Sequence, residues 1–265
     1  MTPGPAPLVR LVEDGPVAEL ILDRPEAMNA ISSTLAAQLT EACRELGRLE
    51  GLRAVVLSSS SDRAFCAGAD LKERTTFGEA EMMAQRPLLR GAFAAVRSIE
   101  VPVIAAVAGY ALGGGFELAL SCDLIVADET AVLGLPETSV GLMPGGGGTQ
   151  LLARRAGSGV AADLILTARH VPASEAVQLR LLDRLVPRGA ARATALQLAR
   201  AIAANSPVGV GAAKRALRGG AGVPLAAGLE VEEAAWQEVA ASPDRAEGIA
   251  AFVEKRPPRW RSGAG

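Results

Sequence analysis

The chain has 265 residues, 49% of them hydrophobic and 21% charged, long enough to bury a core without disulfides or metals to staple it. Its 27 basic and 29 acidic residues leave a formal net charge of −2, which gives nucleic acid no global reason to bind. Three cysteines without CxxC spacing make no disulfide framework, and the single histidine, His170, has no partner for a His-based metal site or a Ser-His-Asp triad.

Residues 1–7 form a Pro/Gly tail that lacks the basic start and apolar core of a signal peptide. Pro16 to Leu22 predicts a strand closed by a turn at Asp23-Arg24-Pro25. Ser32 or Ser33 is suited to cap a helix running to about Leu49, with apolar residues at Leu35, Leu39, Cys43, Leu46 and Leu49. Arg53 to Leu57 predicts a short buried strand. Glu79 to Ile99 predicts a helix that Pro87 should end or bend near its first third. Val103 to Ala108 and Asp123 to Ala127 predict two more strands. From about Leu151 the pattern turns mostly helical, with candidates at 160–168, 173–181, 190–204, 207–218, 224–241 and 243–254. This order implies an α/β core followed by a helical section. No fixed-period repeat is visible. The longest uncharged apolar stretch, Val101 to Phe116, is too short and glycine-rich to span a bilayer, so a reducing, cytoplasmic compartment is expected.

Two carboxylates stand where charges are costly. Glu117 is the only charge between Glu100 and Asp123, and Glu137 the only one between Glu129 and Arg154. Both stretches are apolar and glycine-rich, so they belong inside the fold or along a pocket, where burial raises a carboxyl pKa. Two such groups could divide acid and base roles; each could equally be a core glutamate tied to arginine or backbone amides. Gly113-Gly114-Gly115 precedes Glu117 where a strand gives way to a helix, and the segment Phe65 to Lys72 places small residues between a strand and a helix. Free amides from both loops, converging on one carbonyl oxygen, would make an oxyanion hole. No P-loop, GxGxxG or GxSxG pattern occurs. Cys66 has no nearby histidine to activate it and is read as a packing residue.

Five ordered blocks carry a family resemblance: DRPEAMNAI (23–31), AFCAGADLKE (64–73), PVIAAVAGYALGGGFELALSCD (102–123), LGLPETSVGLMPGGGGTQ (133–150) and DRAEGIAAFVEKRPP (244–258). On these the chain resembles the enoyl-CoA hydratase/isomerase (crotonase) superfamily. The resemblance implies a spiral of β-β-α units over residues 1–200 and a helical trimerisation region over 201–265, assembled as a homohexamer of two trimers. It implies acyl-CoA thioester substrates and no cofactor or metal, coenzyme A being part of the substrate. The oxyanion donors would be the N–H groups of Ala69 and Gly114. Ala27, Ala67, Asp70, Leu71 and Lys72 would meet coenzyme A, while Phe252 and Lys255 would reach the coenzyme A of a neighbouring subunit.

Retention of glutamate at both matched positions favours hydration of a trans-2-enoyl-CoA. Glu117 would take a proton from water attacking C3, and Glu137 would protonate C2. The run FCAGADLKER (65–74) and the ending EKRPPRW (254–260) also resemble 3-methylglutaconyl-CoA hydratases; isomerase and non-catalytic members are further alternatives. RNA binding, linked in some relatives to a lysine-rich helix, is not expected: residues 32–50 contain no lysine. Met82, Met83 and Phe77 fall where relatives close over the acyl chain.

Overall fold

A computed structural model describes residues 6–260; most of the Pro/Gly tail and the last residues of the 201–265 section lie outside the described residues. In chain order the strands are β1 (Val9–Asp14), β2 (Val17–Leu22), β3 (Ala54–Ser59), β4 (Ala64–Cys66), β5 (Val103–Val107), β6 (Tyr110–Leu112), β7 (Leu124–Asp128), β8 (Val132–Gly134), β9 (Val171–Pro172) and β10 (Arg184–Val186). The helices are α1 (Ser33–Leu46), α2 (Leu71–Arg74), α3 (Glu79–Ser98), α4 (Gly114–Leu120), α5 (Gly148–Ala156), α6 (Ser158–Thr167), α7 (Ala173–Gln178), α8 (Ala191–Ala203), α9 (Pro207–Gly220), α10 (Leu225–Ala241) and α11 (Pro243–Val253).

Each turn of the chain gives one strand to a six-stranded sheet, ordered β1-β2-β3-β5-β7-β10, and the next to a four-stranded sheet, ordered β4-β6-β8-β9. The pairs β3/β4, β5/β6 and β7/β8 therefore climb side by side, each followed by helix. This is the spiral of β-β-α units; the strands of the six-stranded sheet run parallel from β2 to β10, and in the smaller sheet β9 is antiparallel to β8. Such strands are buried on both faces, which is why they read as unbroken apolar runs. On β3, Val55 and Leu57 enter the main core, while Ala54 and Val56 face Ala195, Ala199 and Ala203 of α8. Alanine at every fourth position lets that helix lie close against the sheet.

Ser32 caps α1, its hydroxyl accepting from the Leu35 N–H at 3.2 Å. Two expectations need correction. Pro87 lies inside one helix, α3, rather than ending it. The carbonyl that loses its partner belongs to Met83, on an exposed turn, where water can replace the missing N–H. The region after Leu151 is not helix alone, since β9 and β10 complete the two sheets. β1 and α5 were not anticipated.

The C-terminal helices are fastened at one buried lysine. Lys214 on α9 donates to the carbonyls of Ile99 (2.7 Å) and Val101 (2.5 Å) and pairs with Asp123 at 2.8 Å. All three ammonium protons are therefore used, which an interior cation requires. Beyond it, α10 buries none of its residues and exposes Leu225, Leu229 and Trp236. Among the described residues no helix is long and apolar enough to cross a membrane.

Candidate active site

A cavity of about 720 Å³ opens between α3, the N-terminus of α4 and the loop joining β8 to α5. Glu117 and Glu137 both line it. Glu117 sits in the first turn of α4 because Gly115 lets that helix press onto β4: a methyl at Gly115 would lie 1.9 Å from the Cys66 carbonyl oxygen. No side chain fits there.

Glu117 is 3% exposed, yet one of its oxygens is well served. Oε1 accepts from the N–H of Gly146 and of Gly148, each at 2.7 Å. A methyl at Gly148 would come within 2.9 Å of that same oxygen, and Gly147 takes a φ of +124°. The four-glycine run is thus an amide cradle shaped to a carboxylate. Oε2 forms no hydrogen bond among the described residues. Burial pushes the Glu117 carboxyl above its ordinary value, against the amides of Gly148, Gly146 and Gly147 and the Arg86 charge.

Glu137 hangs from a 3-10 turn over residues 136–140. Its carboxylate lies over the backbone of Gly113, where a methyl would sit 3.2 Å from Oε1. Its Oε2 is buried without a partner among the described residues. Burial pushes its carboxyl up to about 7, with the Glu117 charge adding to the shift and its own amide opposing it. At neutral pH one carboxyl can hold a proton while the other is ionised.

Free amides line the same cavity as the two glutamates. The N–H of Gly114 opens α4 and has no intrahelical acceptor. A methyl on Gly114 would stand 3.7 Å from the Ala69 nitrogen, so the two N–H groups are neighbours on one wall. Gly68 bonds to Ile31 through its carbonyl (2.7 Å) and Asp70 through its amide (3.1 Å). Those two bonds fix the Ala69 peptide between them without using its own N–H.

Of the residues expected to meet coenzyme A, Ala67 and Leu71 line this cavity together with Ala69. Ala27 and Lys72 do not. Asp70 is turned away: Oδ2 pairs with Arg24 at 2.6 Å and Oδ1 caps α2 through the amides of Lys72 and Glu73. Burial opposes its ionisation, but those partners hold its carboxyl below the usual range. Its side chain organises the loop rather than facing the cavity. Phe252 is 85% exposed on α11, away from its own chain's cavity, and Lys255 follows that helix in an exposed position. Met82 lines the cavity; Met83 is exposed and, like Phe77, does not line it. Cys66 is fully buried, with its sulfur 3.1 Å from the Asn29 carbonyl oxygen and its thiol pushed up to about 12 by burial. It is a packing residue.

Sequence reasoning missed Arg74, Arg86 and Arg97. Arg86 shares a face of α3 with Met82, Leu89 and Phe93, all at the cavity; an arginine within that apolar stripe was the available signal. Among the described residues no group of three or more His, Cys, Asp or Glu side chains is placed to hold a metal ion.

A buried and a half-buried carboxylate lining one cavity with a pair of free amides suit acid–base chemistry on a carbonyl compound whose oxygen takes up charge. The comparisons with known proteins give that chemistry a family. The enoyl-CoA hydratase/isomerase family model matches residues 13–263. The chain is 41% identical over 248 residues to the cattle (Bos taurus) enoyl-CoA hydratase domain-containing protein 2, mitochondrial, covering 92% of this chain and 84% of that protein. It is 39% identical over 253 residues to the mouse (Mus musculus) methylglutaconyl-CoA hydratase, mitochondrial, covering 94% and 81%. The crystal structure of an enoyl-CoA hydratase from Bacillus anthracis superposes with a TM-score of 0.93 at 38% identity, over 96% of this chain and 99% of that one. The chain belongs to the enoyl-CoA hydratase/isomerase family.

Proposed function

We propose that this enzyme adds water reversibly to a trans-2-enoyl-CoA to give the 3-hydroxyacyl-CoA. The observation that carries this reading is the pairing of a cradled Glu117 with a Glu137 whose Oε2 has no partner among the described residues, in one cavity with a pair of free amides. The amides on Oε1 favour ionised Glu117 and leave Oε2 to take a proton from water. As the water oxygen bonds to C3, the C2=C3 electrons move toward the thioester carbonyl, whose oxygen is held by the N–H groups of Ala69 and Gly114. The positive end of α4 supports the same charge. The electrons then return, and C2 takes the proton that Glu137 holds at neutral pH. Glu117 leaves the step protonated and Glu137 ionised, and proton exchange with solvent restores both.

Ala67, Leu71 and, at the loop's edge, Lys72 would receive coenzyme A, which arrives as part of the substrate; no separate cofactor enters the scheme. We place Phe252 and Lys255 at a neighbouring subunit's coenzyme A, since their exposure on α11 leaves them free to reach out. The bare apolar side of α10 supports assembly into a homo-oligomer, with a hexamer of two trimers as the expected form. Three unpaired, buried cysteines suit a reducing compartment such as the cytoplasm.

Crotonyl-CoA tests the reaction. Loss of its conjugated-thioester absorbance with formation of 3-hydroxybutyryl-CoA is expected; an unchanged spectrum at high enzyme concentration, together with no turnover of longer or branched enoyl-CoAs, would overturn it.

A second reading narrows the substrate to an enoyl-CoA with a carboxylate at its far end, such as 3-methylglutaconyl-CoA. Arg74 and Arg86 both line the cavity, and neither has an ion pair among the described residues. Arg74 donates to Gln85 at 2.9 Å and Arg86 to the Gly145 carbonyl at 2.7 Å, which leaves further donors for an anion. Arg74→Met should then lower kcat/KM for the carboxylated substrate by about tenfold or more while sparing crotonyl-CoA. Equal losses on both would remove this reading.

A further inference from the structure

The glycine cradle around Glu117 is held from behind by two arginines of one helix. Arg86 Nη1 donates to the Gly145 carbonyl at 2.7 Å, and that carbonyl shares its peptide unit with the Gly146 N–H that grips Glu117 at 2.7 Å. Arg97 Nη1 donates to the Gly146 carbonyl at 3.1 Å, and that unit ends in the Gly147 N–H, which faces the same carboxylate. Eleven residues separate the two arginines, close to three helical turns, so both project from one side of α3. Phe93 lies between them, its ring against the Gly146 backbone, where a methyl would come within 2.5 Å. The loop cannot slide along α3 without breaking these contacts.

A cation on a peptide oxygen draws electron density toward that oxygen and leaves the N–H at the other end a stronger donor, the polarisation that links hydrogen bonds in series. We propose that Arg86 and Arg97 are positioning residues that aim and strengthen the Gly145–Gly148 amide cradle, and thereby act on Glu117 through the backbone of that loop. The proposal rests on the reading of Glu117 as the base. The charged groups facing Glu117 are Glu137 from the 136–140 turn and these two arginines from α3. On α5, Arg154 turns to Gln150 and Arg155 to Asp183. Arg218 of α9 stands behind Arg97, donating to its carbonyl oxygen and pairing with Asp123 at 2.7 Å. Strand β4 offers only the neutral Cys66 thiol, and the Tyr110 of β6 is half exposed.

The test reads Glu117 directly. The infrared carboxyl band of Glu117, assigned by its disappearance in Glu117→Gln, is titrated in a Glu137→Gln background that removes the facing Glu137 carboxyl. Arg97→Met should move its midpoint upward by about half a pH unit or more, and Arg97→Lys, which keeps the charge, should bring it back toward the parent. The acid limb of the pH–rate profile, measured with Glu137 intact, should follow. Arg86→Met, at an exposed position, carries the same test should Arg97→Met fail to fold. An unmoved midpoint in the methionine variants, or a lysine variant displaced as far as the methionine one, overturns the proposal. Because the band is read without turnover, a failure of the hydratase reading would be seen separately, as full activity in Glu117→Gln.

Discussion

Glu117 stands in the first turn of a helix with two backbone amides on one oxygen, whereas Glu137 hangs from a 3-10 turn with an oxygen that no donor in the described chain meets. Burial acts on both in the same direction. What differs is the compensation: the glycine cradle favours the charged form of Glu117, and nothing comparable serves Glu137, which feels the Glu117 charge besides. One cavity can thereby keep a base and an acid of the same residue type side by side. The division comes from the backbone around each side chain.

The sharpest way to break this contrast is to neutralise either member. Glu117→Gln and Glu137→Gln should each lower turnover by about 10²- to 10⁴-fold while the affinity for a saturated acyl-CoA, read by calorimetry, stays within a few-fold. The double variant should be little worse than the singles, because the two act in one step. Wild-type turnover in either single variant would end the two-carboxylate account.

A smaller loss should follow from disturbing only the cradle. The methyl of Gly148→Ala would crowd Glu117 Oε1 at 2.9 Å and Leu135 at the same distance. Displacing the base by a fraction of an ångström should cost about ten- to a hundredfold in kcat, with Glu137 untouched. Steady-state kinetics checks it.

The smallest effect is on stability and concerns Glu137 alone. Its folded-state pKa of about 7 lies above the ordinary carboxyl value of 4.5, so the folded chain holds a proton that the unfolded chain releases in that window. The stabilisation is complete below the unfolded value and is lost as pH rises through about 7. Glu137→Gln should therefore raise Tm at pH 8, by about 2–4 °C per kcal/mol recovered, and leave it nearly unchanged at pH 4. Thermal melts at the two pH values would expose an equal shift at both, which this account does not allow.

Much of this was legible beforehand because the chemistry is local. Glu117 and Glu137 declared themselves as lone charges in long apolar stretches, and the β3 and β5 runs declared their burial on two faces. Other features left no local trace. β4, β6 and β8 are three residues each, too short for any period to show, and the β-β-α units begin at uneven spacing, so the spiral is a repeat of structure without a repeat of sequence. β1 buries only Val9 and owes its existence to pairing with β2. Arg86 and Arg97 act on a loop some fifty residues away, and Lys214 caps carbonyls more than a hundred residues distant; only the folded chain brings them together.

The division of roles is tested most directly by the pH dependence of kcat/KM for crotonyl-CoA, measured from pH 5 to 9. Glu137 must be protonated and Glu117 ionised, so the account predicts a bell whose alkaline limb falls at about 7, with that limb absent from the residual activity of Glu137→Gln. A rate that keeps rising through pH 9, or an alkaline limb that survives in Glu137→Gln, would contradict it.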